Sequence, residues 1–256
     1  MPLAAIHGVA RESIVLVVGV LAGIANGIAG GGTLFTFPVL LALGLPALTA
    51  NVSSSVGLLP SYVAGIAGFR SRLTERRALL VALSPACVLG SLVGTALLLG
   101  GSAATFRAVV PWLIGLATLT FAAQPLVGRA AASVPHDHPT RRVLLQVGTF
   151  AIAVYGGYFG AGVGIMMLAV MGLALPDDLG TLTGLRSVLS LLVNAVAATV
   201  FVIRGHLAFD VVVCLWIGSA IGGIGGTALV KSLRPSLLRA VIIVIGAATT
   251  LRLAIG

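Results

Sequence analysis

Apolar residues run through this chain in blocks that follow one another almost without interruption, and the few charged residues fall in the breaks between them. A chain has this pattern when lipid rather than water surrounds it. Ten blocks are legible, at 14–29, 33–45, 47–69, 78–99, 108–127, 143–159, 163–175, 182–203, 208–230 and 237–255. A helix rises about 1.5 Å per residue and a hydrocarbon core is about 30 Å thick, so a full span needs about 20 residues. The blocks at 33–45 and 163–175 fall short of that length. Each is joined to the block before it through glycines: Gly30, Gly31 and Gly32 in the first case, Gly160 and Gly162 around Ala161 in the second. Glycine permits a sharp backbone reversal. Each pair of blocks is therefore expected to form a hairpin that either spans the membrane or turns back inside it.

Composition sharpens the reading. The 256 residues are 59% hydrophobic and 8% charged, with a mean hydropathy of +1.17, against about 45–50% apolar and about 25% charged in an ordinary soluble domain. A water-soluble globule is excluded, and the lipid bilayer is the first partner. The net charge of +9 comes from 15 Lys and Arg against 6 Asp and Glu. Those bases sit in short breaks, and no soluble basic domain exists to hold a duplex, so nucleic acid is not a partner. Cys87 and Cys214 lie inside apolar blocks with no Cys-x-x-Cys and no neighbouring His, which points to small buried side chains rather than a redox pair or metal site. His136, Asp137 and His138 sit in a short break bounded by Pro135 and Pro139. That break encloses no third and fourth ligand and reads as a solvated linker. No cofactor or metal is expected. The first block is preceded by Arg11 and Glu12 and followed by the glycine motif rather than a small-residue cleavage site, so a removable signal peptide is not expected.

The ten blocks divide five and five, and the halves repeat each other. Gly-x-Gly followed by an apolar run ending in Leu-Pro occurs at Gly30 to Pro46 and again, at the same spacing, at Gly160 to Pro176. The third block of each half exits through Arg-x-x-Leu, at Arg70 to Leu73 and Arg204 to Leu207, and the fourth carries Gly-Ser-x-x-Gly, at Gly90 to Gly94 and Gly218 to Gly222. Three patterns in the same order predict an internal repeat. Its halves would be 1–128 and 143–256, membrane repeats joined by a linker at 129–142. Lys and Arg then set orientation. Arg70, Arg72, Arg76 and Arg77 in one break, Arg129, Arg141 and Arg142 in the linker, and Lys231, Arg234 and Arg239 in a late break place these three in the cytoplasm, whereas Arg107 and Arg204 stand alone in outer breaks. Both termini are expected outside. With an odd number of blocks per half, the second half is inserted upside down relative to the first, as in secondary transporters.

If the hairpins turn near the bilayer middle, the helices beginning at Thr33 and Val163 aim free N–H groups and positive dipole ends at the interior, which suits an anion. The expected binding groups are the backbone of Gly30, Gly31, Gly32, Gly160, Gly162 and Val163, with Asn26 supplying amide donors and Thr33 capping its helix. The third blocks are unusually polar for spans: Asn51, Ser53, Ser54 and Ser55 in the first half, Thr181, Thr183, Arg186, Ser187, Ser190 and Asn194 in the second. Asn51, Ser54 and Asn194 join the candidate site. Arg186 is the sharpest signal, because a charge inside a span is by default a functional residue. It lies about 6–9 Å inside the boundary by helical rise, within reach of the head groups by snorkelling. Facing the pore, it would attract an oxyanion entering from the cytoplasm. Pro60 is expected to kink its block. The acidic residues Glu12, Glu75, Asp137, Asp177, Asp178 and Asp210 all lie in breaks or at block edges, so no buried carboxylate relay is visible. Export of anions needs none, since a negative cell interior drives them outward by about 2.3 kcal/mol per charge per 100 mV.

Gly23-x-x-x-Gly27-x-x-Gly30-Gly31-Gly32 followed by Pro38 and Leu45-Pro46, Ala50 to Ser53, the basic exit after Phe69 and the degenerate second copy from Gly156 to Pro176 resemble the TauE/SafE family of sulfite exporters. The resemblance covers nearly the whole chain. It implies a multi-pass permease of a bacterial inner membrane that exports sulfite or a two-carbon organosulfonate such as sulfoacetate. Asn26 within the first glycine motif and Arg186 in the second half depart from the family pattern, and Arg186 is consistent with a different anion. The fold class expected is an all-α polytopic membrane protein built as an inverted repeat of two five-segment halves, with a small anionic substrate between the glycine bends; a homo-oligomer is compatible with it. A channel or importer of another small anion is the alternative. An intramembrane transferase is disfavoured, because it would need acidic metal ligands or a nucleophile–base pair at membrane depth.

Overall fold

The computed structural model of the chain describes residues 8–28, 30–132, 140–204, 207–229, 244 and 248–251. Most of those residues are helical, and none of them is in a strand. The helices are α1 (Val9–Ile28), α2 (Thr33–Ala42), α3 (Ala47–Gly57), α4 (Leu59–Leu73), α5 (Arg77–Gly100), α6 (Ala103–Ala132), α7 (Thr140–Tyr158), α8 (Val163–Ala174), α9 (Leu179–Arg204) and α10 (Phe209–Leu229). Six stretches among them are long and apolar enough to cross a membrane, with α3 and α4 counted as one, while α2 and α8 are too short. The histidine-containing break falls outside the described residues, as do nearly all of the tenth block and Lys231, Arg234 and Arg239 of the late break.

Ion pairs and polar contacts group the helix ends into two faces. At one face Arg11 of α1 donates to Asp210 of α10 over 3.1 Å, and Ala208 N–H donates to Ser53 Oγ of α3 over 3.1 Å. At the other, Arg76, in the short 3-10 turn Thr74–Arg76 after α4, reaches Asp177 from Nε at 2.9 Å and Nη2 at 2.5 Å, and Arg72 of α4 pairs with Asp178. Arg141, at the start of α7, donates to the last carbonyl of α8, that of Ala174, over 3.4 Å. The α7–α8 pair therefore opens and closes at the second face.

The third block of the first half is two helices rather than one kinked span. Pro60 stands in the first turn of α4, where its missing N–H is tolerated, but the carbonyl four residues earlier then has no helical partner. In an apolar surround each such carbonyl needs a donor. Trp216 Nε1 of α10 supplies one to Val56 O at 2.8 Å, and Ser219 Oγ supplies one to Gly57 O at 2.9 Å. The break is thus held open by α10.

Cross-packing between the halves is reciprocal. α1 lies along α10 and α5 lies along α7, with α4 against α9 between them. Glycines make both contacts close: a methyl group on Gly23 would come 2.5 Å from Ser219 O, and one on Gly90 would come 2.6 Å from Phe150 O. Small residues let helix backbones approach in this way. The serine of each Gly-Ser-x-x-Gly motif does the same work, Ser219 bonding Gly57 O of the first half and Ser91 Oγ bonding Val193 O of the second at 2.7 Å.

Candidate functional site

Both glycine bends lie in the interior, and they touch. Gly30 (φ +84°) adopts the left-handed backbone that only glycine takes without strain. A methyl group there would come 2.7 Å from Gly164 Cα, in the first turn of α8. Gly160 (φ +77°) and Gly162 (φ +79°) turn the second bend in the same way. Every candidate named from the sequence is buried: Asn26, Gly30, Gly31, Gly32, Thr33, Asn51, Ser54, Gly160, Gly162, Val163, Arg186 and Asn194.

Arg186 is the centre of the first group. Its side chain is 0% exposed, which excludes snorkelling in this structure. Nη2 donates to the carbonyls of Asn26 at 2.9 Å and Gly27 at 3.3 Å, the last turn of α1, whose unpaired carbonyls form the negative end of that helix. Nε and Nη1 have no protein partner. Nη1 lies against Gly30 and Gly164, so the guanidinium sits where the two bends meet.

Asn26 takes a different part from the one its chemistry offered. Its Oδ1 accepts the Gly32 N–H at 2.7 Å and so caps α2 from outside the helix, while Nδ2 donates to Ser61 Oγ at 2.9 Å. Gly32 is the N-cap residue, and Thr33 makes no capping bond. The amide therefore fixes the first bend in shape. Gly162 and Val163 are turned away from Arg186: a methyl on Gly162 would meet Ala117 Cβ of α6 at 3.0 Å, and Val163 packs on Gly156. Gly164, which sequence reasoning missed, takes the place expected for Gly162. Its only signal was a further glycine in the first turn of an otherwise bulky apolar helix.

A second group surrounds the other bend. Asn51 Nδ2 of α3 donates to Tyr158 O at the end of α7 over 3.1 Å. A methyl on Gly160 would lie 2.8 Å from Ser55 Oγ and 3.6 Å from Asn194 Oδ1. Asn194 Nδ2 bonds back to Ser190 O in its own helix. Buried polar atoms without a protein partner recur on the third-block helices: Asn51 Oδ1 and Ser54 Oγ on α3, Arg186 Nε and Nη1 and Ser190 Oγ on α9. Buried polar groups in native proteins are nearly always bonded. α3 and α9 are in contact, so these atoms mark a polar seam through an apolar core. Among the described residues no carboxylate pairs with Arg186: Asp177, whose side chain is 8% exposed, pairs with Arg76 at the second face, and Asp178 and Asp210 pair with Arg72 and Arg11.

Comparison with known proteins finds a family of membrane transporters. A family model described as Sulfite exporter TauE/SafE matches residues 15–253. A probable membrane transporter protein of Haemophilus influenzae is 27% identical over 243 residues, covering 93% of this chain and 92% of its own. The probable membrane transporter protein ORF9 of a Sinorhizobium species is 27% identical over 240 residues, 91% of this chain and 88% of its own. The probable membrane transporter protein YfcA of Escherichia coli is 24% identical over 243 residues, 92% and 87%. No solved structure matches the chain.

Proposed function

The chain belongs to the sulfite exporter TauE/SafE family of membrane transporters, and on that premise we propose that it exports sulfite or a two-carbon organosulfonate such as sulfoacetate. It is a transporter and not an enzyme. One observation carries the substrate reading: a guanidinium wholly buried between two glycine bends, with two unpartnered nitrogens and no carboxylate paired with it among the described residues. An isolated charge in an apolar interior is expensive unless paired. A small oxyanion is the missing partner: Nε and Nη1 can each donate a charge-assisted hydrogen bond to it, and Nη2 would complete a two-nitrogen edge once it leaves the α1 carbonyls. Ser54, Ser190 and Asn51 line the same seam and would take the remaining oxygens, together with the backbone N–H of Gly164, the α8 residue that lies against Nη1.

In this reading the halves 1–128 and 143–256, joined at 129–142, form an inverted repeat in a bacterial inner membrane, with both termini outside. The reciprocal packing of α1 on α10 and α5 on α7 supports it. Each bend is a re-entrant hairpin, and rocking of one half against the other exposes the site to each side in turn.

Purified protein in lipid vesicles tests the proposal, with a counterflow panel of sulfite, sulfate, thiosulfate and sulfoacetate. Sulfite or sulfoacetate should move well above the rate in protein-free vesicles. Arg186→Leu, expressed at normal level, should transport about 10–100-fold more slowly, the worth of a hydrogen bond to a charged group. Wild-type rates in that variant would reduce Arg186 to a structural anchor.

A further inference from the structure

The tether on Arg186 joins the two halves. The guanidinium belongs to α9 in the second half, and its acceptors, the carbonyls of Asn26 and Gly27, belong to α1 in the first. Any motion that carries α9 away from the end of α1 must part them. In an empty carrier the guanidinium would then leave its acceptors while still buried, with no carboxylate among the described residues to receive it. A charge stripped of partners in an apolar core is strongly disfavoured. A bound anion removes that barrier, because its oxygens bond the guanidinium through the motion and cancel its charge. Nε and Nη1 are already free to receive them, so binding can begin before the tether breaks.

We infer that the protein is an obligatory anion exchanger: the loaded form reorients readily, the empty form does so rarely, and one anion leaves the cell only as another enters. The inference rests on the anion-binding reading above and adds the coupling mode. Balanced against one guanidinium, a singly charged anion makes the loaded site neutral. Exchange of such anions is then insensitive to membrane potential, and concentration gradients rather than voltage set the direction of net movement. This replaces the voltage-driven export expected from the absence of a carboxylate relay.

The experiment uses wild-type protein in vesicles loaded with isotopically labelled sulfite, run in parallel with sulfoacetate. Efflux is followed into medium buffered by an impermeant zwitterion and into the same medium with unlabelled substrate, each with and without a potassium diffusion potential set by valinomycin. Efflux into medium containing the counter-anion should exceed efflux into anion-free medium by about tenfold or more, the order set by placing an uncompensated charge in an apolar core. The faster rate should not change with the imposed potential at a pH where the substrate is singly charged. Equal efflux into both media overturns the exchange inference while leaving anion transport standing, as does acceleration of exchange by the potential. Efflux no faster than from protein-free vesicles in every arm removes the anion-transport reading and this inference with it.

Discussion

Replacing Gly30 by alanine adds one methyl group at the point where the two bends meet. The backbone there has φ +84°, where a β-carbon costs about 1–2 kcal/mol through its clash with the carbonyl oxygen. The methyl would also come 2.7 Å from Gly164 Cα and 2.9 Å from Gly164 C, closer than carbon atoms pack, and would press on Arg186. Those neighbours are backbone and cannot swing aside, so overpacking adds about 1–3 kcal/mol. The total is about 2–5 kcal/mol, a fall of roughly 5–15 °C in the unfolding midpoint for a chain of this size. Gly172→Ala is the control: it lies in α8, has no positive φ, and its added methyl meets nothing within 4 Å. Thermal unfolding in detergent and counterflow in vesicles should both separate the two variants, with transport collapsing only for Gly30→Ala. If the two behave alike in both measurements, the bends do not touch in the working protein and the site described here does not exist.

Ser91→Ala and Ser219→Ala each remove one hydrogen bond between halves and should destabilise by similar amounts, about 0.5–1.5 kcal/mol; Ser84→Ala, which loses only a bond within its own helix, should change little on the same unfolding measurement. Asp178 is held at about 2, well below the ordinary carboxylate range, chiefly by the Thr181 hydroxyl at 2.6 Å, then by the N–H groups of Gly180 and Thr181 and by Arg72, against a lesser opposing effect of burial. A lowered folded-state value means that its stabilisation is complete above about 3.9 and is lost as pH falls toward 2. Unfolding followed from pH 6 downward should therefore lose more stability below about 4 in the wild type than in Asp178→Asn. In a background lacking Cys87 and Cys214, Glu75→Cys should react with an impermeant thiol reagent only from the cytoplasmic side and Ser102→Cys only from outside; the opposite pattern would invert the proposed orientation.

Much of the fold was legible because lipid makes backbone satisfaction and segment length nearly the same question. The short blocks at 33–45 and 163–175 reappear as α2 and α8, each preceded by positive-φ glycine. The break before Pro60 was legible only as a kink. Whether a proline kinks a helix or splits it depends on who takes the orphaned carbonyl, and the donor, Trp216, lies 160 residues away. The fifth apolar block spans 108–127, whereas α6 runs Ala103–Ala132. Arg107 and Arg129 bound the apolar block, but a helix continues past the hydrocarbon wherever nothing stops it, here through the alanines at 103–104 and 130–132.

For the site, residue types are legible in the sequence, whereas their partners are not. Asn26 offers donors and an acceptor equally, and only the path of the chain decides which is used. In the fold the acceptor fixes α2, because the Gly32 N–H at the start of that helix would otherwise be buried without a partner. Arg186 was placed near the boundary by counting helical rise from the end of its block, a measure that fixes depth along α9 but says nothing about what comes to meet it. The first bend comes, from 160 residues away, and with it the carbonyl end of α1. That meeting turns a charge near the surface into one that no water reaches. It also explains why the sequence pairs a bare Gly30 with a bare Gly164: with a side chain at either position, the guanidinium and the two bends could not occupy the same few ångströms.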